Sequence, residues 1–298
     1  MAILVTGAGG QLGSELCARL GERALGVDVD TLDLTNPVAL ERFVESHRPE
    51  AIINCAAYTA VDRAEQDEAR CFAINAEAVA TLAGLCRRLD LPLVQISTDY
   101  VFGGDGDRRT AYAEEDPPAP LGVYGRSKLE GEHNAAAWQL HLIVRSCGLY
   151  AAPRLGQQVT SFAQTMLRLG RERGKARVVT DQVCSPTFVP NLAAAVLYLL
   201  ERGETGTFHV VDRGAVSWHA FAEELFRQAG IDVVMEPIST AEYEAERLSG
   251  GASKASLARR PAFSVLSTAK YDDLGRPAMP VWQASIAAYL AALRSASV

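Results

Sequence analysis

The sequence predicts an α/β protein built on a doubly wound parallel sheet, with a smaller C-terminal substrate-binding lobe. Three features of the chain predict it. Short apolar runs alternate with helical stretches through roughly the first third of the chain, a glycine-rich turn follows the first of those runs, and Gly, Pro and Ser accumulate beyond Gly230. Such alternation gives parallel strands joined by right-handed helical crossovers, with helices on both faces of the sheet. Chemistry is then expected beyond the carboxyl ends of the strands.

The first strand is AILVT, with its helix over Gln11 to Leu20; ALGVD and a helix over Pro37 to His47 follow. AIIN is the third strand, an Ala-rich helix runs from there to Leu89, and LVQIS is the fourth strand. Gly103 to Gly122 (GGDGDRRTAYAEEDPPAPLG) is polar and too long for a simple connection, as expected of a lid or a substrate wall. A helix from about Tyr124 to Trp138, the strand HLIVR, the irregular AAPRLGQQVTS and a helix near Phe162 to Leu169 come next. PISTAEY, SGGASKAS and RRPAFSVLST carry only short periodic runs. Residues 1–145 with parts of 175–230 are thus assigned to the sheet domain, and 146–174 and 231–298 mainly to the lobe, the two being interleaved.

At 298 residues, 48% hydrophobic and 22% charged, the chain has ample core and is neither disordered nor fibrous. Its 29 basic and 36 acidic residues give a net charge of −7, which provides no overall attraction for nucleic acid or an anionic membrane. The longest apolar run, Leu192 to Leu200, is nine residues, short of the roughly 20 that span a bilayer. The N-terminus runs directly into a strand with no basic leader, so a cytoplasmic location is expected. Cys17, Cys55, Cys71, Cys86, Cys147 and Cys184 include no CxxC pair, which fits reduced thiols and predicts no metal centre.

In GAGGQLG, Gly7, Gly10 and Gly13 stand three apart between strand and helix. Glycines there permit a tight turn and the close approach of a pyrophosphate to backbone N–H groups at a helix N-terminus, the arrangement of a Rossmann-like dinucleotide site. Gln11 and Leu12 lie in the same loop and count with its cofactor contacts, Leu12 making the spacing GxxGxxG rather than GxGxxG. Asp28, 15 residues beyond Gly13, is placed to accept from a ribose hydroxyl and favours NAD, while Arg63 leaves a 2′-phosphate open. Asp33 and Leu34 in LDLTNP are candidates to line the adenine, although an Asx-turn or helix cap accounts for Asp33 nearly as well. Ala56, Ala57 and Tyr58 follow the third strand, where the backbone passes the cofactor; small packing residues are the alternative for the alanines.

Tyr124 and Lys128 are four apart at a helix start and share one face. A phenol becomes a usable acid near neutral pH when an adjacent ammonium stabilises the phenolate. A solvated Tyr and Lys on a surface helix is the competing explanation. Ser97, Thr98, Asp99 and Tyr100 close the fourth strand, where a hydroxyl of Thr98 or Ser97 can donate to a substrate carbonyl oxygen. Turn bonding or helix capping by Thr98 and Asp99 is the alternative there.

Together these segments resemble the extended short-chain dehydrogenase/reductase superfamily. GQLGSEL, DLTNP, NCAAYTAVDRAE, STDYVF, VYGRSKLEGE, DQVCSPT and RRPAFSVLS stand in the order seen in dTDP-4-dehydrorhamnose reductases, over essentially the whole chain. The resemblance implies NADPH- or NADH-dependent reduction of the C4 keto group of dTDP-4-dehydro-L-rhamnose to dTDP-L-rhamnose. It implies a catalytic trio of Thr98, Tyr124 and Lys128, with Tyr124 protonating the oxygen, Thr98 orienting it and Lys128 also holding the nicotinamide ribose. Asp99 and Tyr100 are implied near the sugar, and Arg260 is the candidate for a bidentate pyrophosphate contact, a surface arginine being the alternative. The expected partner is the nucleotide sugar, and a homodimer is compatible with the sequence. Some such reductases bind Mg2+ at a dimer contact, but no carboxylate cluster in this chain has metal-site spacing.

This chain also departs from the family. It reads RSCGLY where the family usually has Arg-Thr/Ser-Ser-Trp-Val-Tyr, so Gly148 replaces an aromatic expected beside the substrate. AAPRLGQQVT lengthens the next loop, and Cys184 stands where a small or apolar residue is usual. Another nucleotide-linked sugar, reduced or epimerised, therefore stays open. So does a non-catalytic dinucleotide-binding subunit like the regulatory subunits of methionine adenosyltransferase.

Overall fold

The computed structural model describes residues 2–154, 161–251, 253, 256–275 and 278–296. It begins with β1 (Ile3–Thr6) and α1 (Gln11–Leu20), then β2 (Ala24–Val27), α2 (Pro37–His47) and β3 (Ala51–Asn54). Asn36 opens α2 by accepting from Ala39 N–H at 3.1 Å, with Pro37 in the first turn where no N–H is needed. Next come α3 (Val61–Ala64), α4 (Glu68–Phe72), α5 (Ala78–Leu89), β4 (Leu93–Thr98), α6 (Val123–Ala136) and β5 (His141–Ser146). The expected single Ala-rich helix to Leu89 is broken instead by a π-helical turn over Ala73–Glu77, between α4 and α5. That wider turn carries Asn75, whose side chain is bonded to the backbone of Tyr58. The run Glu68–Leu89 is apolar and long enough to cross a bilayer, but Val79, Leu82, Ala83, Leu85 and Cys86 are buried within the protein.

The second half contributes α7 (Phe162–Arg173), β6 (Lys175–Val179), β7 (Val183–Cys184), α8 (Val189–Glu201), β8 (Gly206–His209), β9 (Val216–Ser217) and α9 (Trp218–Ala229). It ends with β10 (Val234–Ile238), α10 (Thr240–Ser249), α11 (Ala269–Asp272) and α12 (Trp282–Ala296). The main sheet is parallel, in the order β2-β1-β3-β4-β5-β8, so strand order reverses direction between β1 and β3. Leu12 and Leu16 of α1 join Leu192, Val196 and Leu199 of α8 in one core, and Leu40, Val44, Val79 and Leu82 of α2 and α5 fill a second. A third core gathers Tyr150, Phe188, Phe221 and Tyr289 with apolar residues of α7, β6, α9 and α12. Within 175–230, β6 and α9 belong to that third core, whereas α8 and β8 return to the main sheet. All six cysteines are free thiols.

The long polar connection after β4 is tied down along its length. Tyr112 is buried and stacks on Phe102 with centroids 4.1 Å apart, Arg108 pairs with Asp116 at 2.5 Å, and a carboxylate oxygen of Glu114 accepts from His209 N–H at 2.8 Å. Of the lengthened loop after β5, residues 155–160 lie outside the described chain.

Candidate active site

The glycine turn between β1 and α1 is closely packed. A Cβ on Gly13 would fall 2.2 Å from the Gly7 carbonyl oxygen, and one on Gly7, where φ is +63°, would fall 2.8 Å from Ala56 Cα. No side chain fits at either place, so the turn brings backbone rather than side chains to the sheet edge at a helix N-terminus. Gln11 and Leu12 open α1; Gln11 Nε2 reaches Leu149 O at 3.5 Å, and Leu12 is buried in the core beneath the turn. Gly10 is the N-cap of α1.

Asp28 directly follows β2 beside this turn, where its two carboxylate oxygens accept from Gly9 N–H at 2.7 Å and Val29 N–H at 2.8 Å. Asp33 accepts from both the backbone N–H and the hydroxyl of Thr35, at 2.9 and 2.7 Å, and these bonds hold its carboxyl below the usual range. This is the Asx-turn alternative realised, and Leu34 is buried in the core beside Leu32 and Leu40. Ala56 lies directly against Gly7, and Ala57 and Tyr58 follow it in the chain after β3.

Two buried polar assemblies, neither anticipated from the sequence, hold the sheet edge in place. One crosses three adjacent strands. Thr6 donates to Asn54 Oδ1 at 2.6 Å, Asn54 Nδ2 donates to Gln95 Oε1 at 2.7 Å, and Gln95 Nε2 donates to the Ile96 carbonyl at 2.8 Å. The other centres on Asn75, which accepts from Tyr58 N–H at 2.9 Å and donates to Tyr58 O at 3.2 Å and Ser127 Oγ at 3.0 Å. Ser127 in turn donates to the Tyr124 carbonyl at 2.9 Å. Polar residues inside otherwise apolar strands and an Ala-rich helix were the available signal, because a buried amide must find partners.

Lys128 is buried, and its ammonium donates to that same Ile96 carbonyl at 2.6 Å. Burial pulls the Lys128 pKa down to about 8, with Glu132 the main opposing influence. Tyr124 stands one turn earlier, half-buried, edge-on to Tyr100 with centroids 5.7 Å apart. Burial raises the Tyr124 phenol, and the neighbouring Thr98 hydroxyl is the main influence that lowers it. Thr98 also caps the turn after β4 by accepting from Tyr100 N–H at 3.2 Å, and it donates to Asp99 at 3.0 Å. The capping alternative is thus present in this side chain, which also adjoins Tyr124. Asp99 is buried, accepts from Ser264 Oγ at 2.6 Å, and is raised by that burial.

Arg260 is neither free nor a simple surface residue, because it donates to Asp62 at 2.9 Å and to Ala258 O at 3.2 Å. Gly148, at φ +51°, lies two residues past Ser146, the register partner of Thr98. A Cβ there would meet Trp218 at 2.7 Å, so an indole from the start of α9 covers the position where the aromatic was missed. Cys147 and Cys184 lie in one core cluster against the same indole. Among the described residues no group of His, Cys, Asp and Glu side chains could hold a metal ion.

Residues 1–295 match the family described as RmlD substrate binding domain. The chain belongs to this RmlD family. It is 37% identical over 298 residues to a dTDP-4-dehydrorhamnose reductase of Mycobacterium tuberculosis, covering 97% of this chain and 92% of that protein. It is also 37% identical over 292 residues to a Streptomyces antibioticus protein described as a probable dTDP-4,6-dihydroxy-2-methyloxan-3-one 4-ketoreductase, covering 96% and 93% of the two. A Bacillus anthracis dTDP-4-dehydrorhamnose reductase solved in complex with NADP superposes with a TM-score of 0.88 at 35% identity, covering 98% of this chain and 99% of that one. This RmlD-family chain shares its fold with that structure over nearly its whole length.

Proposed function

We propose that the protein reduces the C4 keto group of dTDP-4-dehydro-L-rhamnose to dTDP-L-rhamnose, with NADPH or NADH as the reductant. The observation that carries this reading is the convergence of Thr98, Tyr124 and Lys128 at the carboxyl end of β4, on the sheet edge that also bears the glycine turn. The M. tuberculosis and B. anthracis relatives, named for this activity, support the substrate, and the NADP of the latter supports the cofactor class. The glycine turn fits a dinucleotide, since its backbone is bare where a Cβ would clash. When bound, the nicotinamide supplies the hydride.

This chain's residues do the rest. Tyr124 gives its phenolic proton to the sugar O4, and Thr98, turning its one O–H from Asp99, donates to the same oxygen, stabilising charge as it builds. Lys128, fixed on the Ile96 carbonyl, keeps a positive charge one helical turn from the phenol. Asp99 and Tyr100 wall the sugar, and Arg260 reaches the diphosphate by exchanging its Asp62 partner for the more highly charged anion. The smaller lobe, including α9 and its Trp218, completes the sugar pocket.

The test is oxidation of NADPH and of NADH with enzymatically generated dTDP-4-dehydro-L-rhamnose, comparing wild type with Tyr124→Phe. Rapid oxidation by the wild type, reduced about 10²- to 10⁴-fold by the substitution, is expected. Cofactor binding without oxidation would remove the assignment and leave a binding subunit, and turnover only with another dTDP-keto sugar would move it to the activity named for the Streptomyces relative.

A further inference from the structure

One buried charged assembly is not used by the mechanism above. Glu132 stands one turn beyond Lys128 on α6, so Tyr124, Lys128 and Glu132 form a stripe at four-residue spacing. The Glu132 carboxylate is 3% exposed and accepts from Ser97 Oγ at 2.5 Å, Arg145 Nε at 2.9 Å and Arg145 Nη2 at 2.7 Å. Arg145 on β5 donates onward to His209 Nε2 at 3.3 Å. Burial and that guanidinium push His209 down to about 3, so the ring is neutral and its Nδ1–H donates to Tyr112 O at 3.1 Å. Three consecutive residues of β4 therefore hold the stripe: the Ile96 carbonyl takes Lys128, Ser97 takes Glu132, and Thr98 adjoins Tyr124.

A buried ion pair is a poor source of stability, because apolar residues of similar volume commonly do as well. Its place here suggests another use. Lys128 has no carboxylate in direct contact among the described residues, and its one short bond is to a neutral carbonyl. From the elements packed on α6, the titratable groups facing it are Cys55 after β3 and Cys71 on α4, both thiols that burial keeps neutral. On its own helix it is Glu132, and from β5 the charged group is Arg145, which lies against the far side of that carboxylate. Glu132 is thus the negative charge that opposes the desolvation of the ammonium.

We propose that Glu132, locked by Ser97 and Arg145, is a positioning residue that keeps Lys128 charged and so sets the upper pH limit of the reduction. The second half of this statement rests on the reductase reading; the first does not. A lysine must be protonated to support the phenol, so activity falls as pH rises through the lysine titration. Removing the carboxylate moves that titration to lower pH.

Lys128 can be followed directly, since the chain has four lysines, Lys128, Lys175, Lys254 and Lys270. In protein carrying 13Cε-labelled lysine, with Lys128→Met identifying the signal, the wild-type Lys128 midpoint is expected near 8. In Glu132→Gln it should fall by about one pH unit, as for loss of a neighbouring opposite charge, and Glu132→Asp should restore most of the shift. The alkaline limb of kcat/KM should move with it, giving about tenfold lower activity at pH 9 relative to each variant's own plateau. Should Glu132→Gln not fold, Glu132→Leu with Arg145→Leu removes the pair together, and the midpoint should move in the same direction. An unmoved midpoint in a folded variant overturns the proposal. A moved midpoint with an unmoved alkaline limb overturns its catalytic half, whereas a moved midpoint in a protein that oxidises no cofactor supports the coupling and sinks the reductase reading.

Discussion

Replacing Asn75 by Leu removes one side chain and strands several others. The amide accepts from Tyr58 N–H and donates to Tyr58 O and Ser127 Oγ, and leucine of similar size can replace none of these bonds. Ser127 keeps its bond to the Tyr124 carbonyl, so the two orphaned groups are the N–H and C=O of Tyr58. At about 1–3 kcal/mol for each unsatisfied group, and with Tyr58 only half-buried, a loss of about 3 kcal/mol is expected. A chain of 298 residues at about 2.1 cal/mol/K per residue has an unfolding entropy of about 0.6 kcal/mol/K, so Tm should drop by about 5 °C. The same change loosens the join between the strand end at Tyr58 and the first turn of α6, so kcat should fall about tenfold with the KM for NADPH little changed. Calorimetry and initial rates check both, with Asn36→Ala as a control that loses one helix cap, about 1 kcal/mol, and no activity. A Tm within about 1 °C of wild type and an unchanged kcat would refute the reasoning that this amide holds the site together.

Gly13→Ala places a methyl 2.2 Å from the Gly7 carbonyl oxygen, so NADPH affinity measured by fluorescence titration should weaken more than tenfold; an unchanged Kd would show that the turn does not bind the dinucleotide. Asp212 is buried and accepts from Phe188 N–H and Asn191, and burial raises its pKa to about 6. Between about pH 4 and 6 the unfolded chain has released this proton while the native state keeps it, so the group's stabilising contribution, full below pH 4, is lost as pH rises through 6, at about 3 kcal/mol. Asp212→Asn cannot titrate, and its Tm relative to wild type should therefore rise by about 4 °C between pH 4 and pH 7; a constant difference would rule this linkage out. Trp218→Ala should raise the KM for the sugar nucleotide several-fold and leave that for NADPH alone, whereas equal effects on both would remove the indole from the sugar pocket.

Much of the architecture was written in local pattern. The boundaries of α1 and α2 follow from the glycine turn and from the Asn36–Pro37 cap, features that act within a few residues. The parallel sheet followed from alternation, because crossover connections leave few other arrangements. Tyr124 and Lys128 were legible because four-residue spacing on a helix is itself a statement of proximity. Asp33 was the opposite case: its sequence context suited a turn nearly as well as a ligand contact, and a turn is what its hydrogen bonds make.

What the sequence determined by itself was thus the βα order, the glycine turn, the lysine one turn after the tyrosine, and a family resemblance that the match over residues 1–295 bears out. Tertiary structure alone decided what surrounds them. Asn54, Gln95 and Asn75 became the frame of the site only when β1, β3 and β4 were aligned side by side, and a π-helical turn swung Asn75 against Tyr58. Trp218 came to cover Gly148 from a position 70 residues away, and Arg145 found Glu132 across two elements. The reason is range: turns, caps and helical spacing are settled by neighbours in the chain, whereas a buried polar group can be satisfied only by partners that the whole fold brings to it.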